Sequence, residues 1–128
     1  MGVIYAAALR TTRMNDVKAA IDAGSGAGTI EIGTTAMAAI LATITLTDPC
    51  GSVSGDVLTL TMPHSDTSAD NTGTAAAARI KDSDGNIIVS GLTVGLSAAN
   101  VILDSLSVTA GQTVTLSAAT LTHNTSGV

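Results

Sequence analysis

Aromatic residues are nearly missing from this chain: Tyr5 stands alone among 128 residues, with no Trp and no Phe. Rings normally supply a large share of buried area, so Leu, Ile, Val, Met and Ala must fill the core, which is thin for the chain length. Such scaffolds often draw part of their stability from neighbouring subunits. Charge is scarce too, at 12% of residues against the usual ~25%. Five basic residues face ten acidic ones, a net charge of −5. That balance argues against nucleic acid as a partner. Arg10, Arg13 and Lys18 do cluster near the N-terminus, where a solvated helix face is the plain reading. The single Cys50 excludes an internal disulfide and reads as a small semi-buried residue rather than a nucleophile. No segment approaches the ~20 apolar residues of a membrane span. Gly2–Leu9 is apolar but short, and no positive charges precede it as in a signal peptide. A soluble single domain with no membrane partner is expected, and nothing marks export.

What the chain does have is alternation. Ile40-Leu-Ala-Thr-Ile-Thr-Leu-Thr47, Val57-Leu-Thr-Leu-Thr-Met62 and Thr113-Val-Thr-Leu-Ser117 alternate apolar with hydroxyl residues. Period 2 is the mark of a sheet with one face buried and one wet. Further strands are expected at Thr29–Thr34, Thr74–Lys81, Ile87–Val94 and Asn100–Asp104, and over Thr113–Thr122 as two strands or one bent at Ala118-Ala119. Turn residues separate them at Asp48–Gly51, Ser54–Asp56, Asp70–Gly73, Asp82–Asn86 and Ala110–Gln112. Strands at this spacing without intervening helices indicate a sandwich, jelly roll or barrel.

Before them, residues 1–11 read as an apolar arm and Thr12–Ala23 as a short helix, with Met14, Val17 and Ile21 on one side. Thr12 or Asn15 would cap it, Asp16 would favour its positive end, and Gly24 would stop it. The expected fold is therefore mostly β, a β-sandwich or jelly roll with a short N-terminal helix. It spans residues 12–123, with 124–128 as a tail.

Motifs that could carry chemistry give way on inspection. Gly24-Ser-Gly-Ala-Gly28 follows a helix and enters a strand, the reverse of a dinucleotide fingerprint. Asp82-Ser-Asp-Gly-Asn86 resembles part of a calcium loop, but Gly85 is fourth rather than sixth and Thr93 occupies the twelfth position, where Glu is needed. It reads as a hairpin turn in which Gly85 supplies positive φ. His64 and His123 lie near strand ends without triad or zinc spacing. The sequon Asn124-Thr-Ser126 has meaning only in a secreted eukaryotic chain. No catalytic residue, metal or cofactor is expected.

Four segments in order carry a family likeness: Ala19-Ala-Ile-Asp-Ala-Gly-Ser-Gly-Ala-Gly28 leading into Thr29-Ile-Glu-Ile-Gly-Thr34; Leu41–Pro49; the hairpin Arg79–Asn86; and Thr109-Ala-Gly-Gln-Thr-Val-Thr-Leu116 running to Leu121-Thr-His123. Together they resemble the capsid decoration, or cement, proteins of tailed phages, small jelly-roll virion proteins encoded beside the major capsid protein. The chain departs from that pattern at Ala76-Ala-Ala78, where a bulky aromatic would stand, and at Ala36, where a Pro would. The resemblance implies a virion protein made in the host cytoplasm and placed on the capsid surface. It would bind the major capsid protein and itself, as a homodimer or homotrimer, and act by binding energy alone. Contact elements are expected in the arm (Val3, Ile4, Tyr5, Leu9) and the first helix (Arg10, Arg13, Met14, Val17). The arm fits equally as a first core strand. A tail, tube or head-fibre component is the alternative. A carbohydrate-binding sandwich is a third, weakened by the shortage of aromatic stacking surfaces.

Overall fold

The computed structural model describes residues 5–62 and 64–122. Helix α1 spans Ala7–Ile21, starting five residues before the expected Thr12 and ending two before Ala23. The physical reason lies in Ala7, Ala8 and Leu9, strong helix formers that extend the first turn. Thr12 and Asn15 are therefore interior residues, not caps. The Thr11 and Thr12 hydroxyls donate to the carbonyls of Ala7 and Ala8 at 3.2 and 3.1 Å, and the Asn15 amide donates to Thr11 O at 3.1 Å. Asp16 is likewise mid-helix, away from the positive end, and the first turn holds no acidic residue. Gly24, at φ +96°, turns the chain away just past the helix, as expected. Of the expected arm, residues 7–11 are helical; Val3 and Ile4 lie outside the described residues, as do His123 and the tail 124–128.

The strands are β1 (Thr29–Gly33), β2 (Ile40–Thr45), β3 (Gly51–Ser54), β4 (Val57–Leu60), β5 (His64–Asp66), β6 (Gly73–Thr74), β7 (Ala77–Lys81), β8 (Ile87–Gly95), β9 (Val101–Leu103), β10 (Ser107–Val108) and β11 (Val114–Thr122). Nine form one sheet in the order β2-β1-β7-β8-β9-β11-β4-β3, with β5 also on β11; β6 and β10 form a second, two-stranded sheet. Pairing is antiparallel except between β8 and β9. The sheet curls: β5, hydrogen-bonded to β11, comes back against the edge strand β2, whose Thr43 N–H donates to Asp66 Oδ2 at 3.0 Å. The molecule is mostly β with one N-terminal helix, an architecture compatible with a β-sandwich.

Alternation does the packing. Ile30 and Ile32 of β1, Leu58 and Leu60 of β4, and Val114 and Leu116 of β11 point into one shared core, while Glu31, Thr59 and Thr115 between them lie on the opposite face. The expected strand Thr74–Lys81 divides: Ala75 N–H reaches Leu106 O at 2.7 Å and Ala76 N–H reaches Gly33 O at 2.9 Å, carrying the chain from the small sheet to the large one. Of the two readings for residues 113–122, the structure has one strand. Its register shifts between Leu116 and Ala118, so the bend falls at Ser117.

Candidate binding surface around the N-terminal helix

Alanine-rich and only four turns long, α1 would be marginal alone in water; it is fastened at both ends to the β3–β4 hairpin. Arg10 Nε donates to Asp56 Oδ1 at 2.8 Å and Thr11 Oγ1 to Gly55 O at 2.9 Å. At the other end Asp22 Oδ1 accepts the Cys50 N–H at 2.8 Å and Oδ2 holds Lys18 Nζ at 3.3 Å. Between these ties Met14 and Ile21 are buried, with Val17 half-buried beside them.

This arrangement divides the eight expected contact residues. Met14, 4% exposed, belongs to the core and offers no surface to a partner. Arg10 is committed internally, to Asp56 and, through Nη1, to the carbonyl of Tyr5. Tyr5 (40% exposed), Leu9 (45% exposed) and Arg13 are open to solvent. The Arg13 guanidinium lies over the Tyr5 ring, 4.5 Å from its centroid, which fixes both groups at the start of the helix. Val17 lines an apolar cleft of about 270 Å³ between the helix and the sheet, whose walls include Met14, Val89, Leu92 and Leu121, with Asn100 and Thr122 also lining it. Sequence reading did not find this cleft. The half-buried Val89 falls next to a register shift between β7 and β8, and no local pattern announces such a shift.

Of the groups weighed for chemistry, Asp82 is committed within the fold and Cys50 is buried. Asp66, two residues from His64, accepts backbone N–H groups from Thr43 and Ser68. His64 Nε2 is buried with no hydrogen-bond partner. Burial foremost, then the nearby Asp22 carboxylate, pushes the Cys50 thiol up to about 12, so it is no thiolate nucleophile at neutral pH. Asp82 accepts the backbone N–H groups of Asp84 and Asn86 and the Asn86 side-chain amide. Those bonds, the Asn86 side chain's foremost, hold its carboxyl below the usual range. With Gly85 at φ +89° this is the hairpin turn read from the sequence. A Cβ on Gly28 would lie 2.6 Å from Lys81 O and 2.9 Å from Ile21 O, so the glycine run serves a tight crossing of helix and strand. On the outer face of β1 and β7, Glu31 sits opposite Arg79 and binds Arg79 at 2.6 Å and Lys81 at 3.2 Å. Burial raises its pKa, but the hydrogen bonds from both cations outweigh that, and the carboxyl lies below its usual value. Among the described residues no three His, Cys, Asp or Glu side chains converge as metal ligands, and no helix is long and apolar enough to cross a membrane.

Comparison with protein-family models, curated proteins and solved structures gives no match.

Proposed function

We propose that this chain is a capsid decoration protein: it binds the outside of a phage head, bridges neighbouring major capsid subunits and stabilises the shell by binding alone. The observation that carries the proposal is the pairing of exposed apolar groups, Tyr5 and Leu9, with a helix bonded at both ends to the sheet. A rigid mount lets such groups bind with little loss of conformational freedom. The order of sequence segments that resembles the decoration family supports the same reading. So does the low charge, which reduces the desolvation cost of a broad interface. Many identical sites on a closed shell make modest single contacts sufficient.

Cryo-electron microscopy of the native virion tests this. Ordered copies bridging capsid subunits at icosahedral positions, with the Tyr5 end against the shell, are the expected result. Density confined to the tail or a vertex fibre would replace the reading with that of a tail or fibre component, and absence from the particle would discard it.

A further inference from the structure

The cleft beside Val17 is walled mostly by aliphatic groups, from Met14 and Val17 of α1 to Leu92 and Leu121 of the sheet. Among the described residues no charged side chain lines it. Apolar walls left to water cost free energy in proportion to their area, so the lining favours an aliphatic occupant. A dry apolar cavity of about 150 Å³ already takes a group the size of benzene. At about 270 Å³ this cleft has room for two branched aliphatic side chains.

Two ties bring the chain that precedes α1 to the same flank of the helix. Arg10, Arg13 and Val17 follow one another at i, i+3 and i+7, which is one helix face. Arg10 Nη1 donates to the carbonyl of Tyr5, and the Arg13 guanidinium lies 4.5 Å from the centre of the Tyr5 ring. Tyr5 is thereby held on the Val17 side, with a rise of about 6 Å along the helix from Arg13 to Val17. The next residues back along the chain are Ile4 and Val3. At ~3.6 Å per residue an extended chain covers that rise in two residues. The other end of the described chain, Thr122, also lines the cleft. It continues as His123-Asn-Thr-Ser-Gly127, with no Val, Leu or Ile among them. From this we infer that Val3 and Ile4 fold back from Tyr5 and seat in the cleft of their own chain, closing it as a hydrophobic strap. They then face inward, and Tyr5 and Leu9 remain as the apolar surface of the helix start. The inference goes beyond shell binding and stands without it, because each measurement below is made on the isolated chain.

Methyl NMR of the full wild-type chain tests the contact directly. Nuclear Overhauser cross-peaks from the Val3 or Ile4 methyls to those of Val17, Leu92 or Leu121 are the expected result. Val3 and Ile4 methyls without any cross-peak to the lining overturn the inference, and cross-peaks from Val128 in their place do the same. Thiol labelling gives an independent reading in a Val17→Cys background, since Cys50 is buried. Adding Val3→Ser and Ile4→Ser removes the aliphatic strap and should raise the labelling rate of the introduced thiol several-fold. Both serines precede the helix, and an unchanged circular dichroism spectrum would show that the fold is kept. An equal labelling rate with and without the serines overturns the inference. So does protection that fades on dilution, which would assign the cleft to a segment of another chain.

Discussion

At the scale of single residues, burial decides what a side chain can do, and two apolar residues of α1 separate cleanly. Met14 lies in the core and Leu9 on the surface. Met14→Ala should cost about 2–5 kcal/mol of folding stability, the usual range for a truncated buried side chain. Leu9→Ala should change it by no more than about 0.5 kcal/mol; urea unfolding of both variants is the check. Cys50 offers a second prediction. Its thiol is fully buried and its pKa is pushed to about 12, first by burial and then by Asp22. A thiol reagent at pH 8 should leave the folded protein unlabelled and modify one thiol per chain once guanidinium unfolds it. Labelling of the native protein at the unfolded rate would contradict the buried placement. The sequence already suggested a semi-buried, inert Cys50. It could not show that Asp22, 28 residues away, receives its N–H.

At the scale of elements, the segments bounded by turn residues or marked by alternation were legible and the others were not. β1, β2, β4, β8, β9 and β11 fall where strands were expected; in β2, β4 and β11 one wet and one dry face impose the period of two that marked them. β3 and β5, of four and three residues, and β6 and β10, of two each, lie mostly in residues read as turns or assigned to no strand, because no alternation marks them. β5, β6 and β10 exist because partners far along the chain supply their hydrogen bonds, and β3 because it pairs with β4 in a hairpin. The helix start was misplaced for a related reason: Thr12 and Asn15 resemble caps, yet the side chain of each bonds backward inside the helix. The joint between helix and first strand is the most sensitive element boundary. Gly28→Ala would put a methyl group against the carbonyls of Lys81 and Ile21, neither of which can yield without moving backbone. A loss of about 1–3 kcal/mol is expected, as for overpacking elsewhere, measured by thermal or urea unfolding. Gly26→Ala is the control, since the nearest atom to its added Cβ is 4.0 Å away.

At the scale of the whole molecule, the carboxylates set the pH response. Glu31 and Asp82 both have folded pKa values below their ordinary ones, so the unfolded chain takes up protons more readily than the folded one. Their contribution is complete above the unfolded carboxylate range near 4 and is lost as pH falls below it. Tm should be level from about pH 6 to 8 and drop below about pH 4.5. In Glu31→Gln that acid-side drop should be shallower. A Tm that rose on acidification would contradict the assignment.

By itself the sequence determined the class: mostly β, with a single aliphatic core, one helix at the N-terminal end and an Asp-Gly hairpin at residues 82–86. These are local properties, set by side-chain periodicity and by the turn chemistry of a few residues, and they are written along the chain. Tertiary structure alone decided the strand order, the curl that brings β5 against β2, the commitment of Arg10 to Asp56 and of Asp22 to Cys50, and the cleft beside Val17. Each joins residues tens of positions apart, and no local pattern encodes which distant partner completes a hydrogen bond or leaves a gap. The same division runs through the proposed surface. The apolar and charged residues of α1 were visible from the start, but which of them face water depended on where the sheet came to lie beneath the helix.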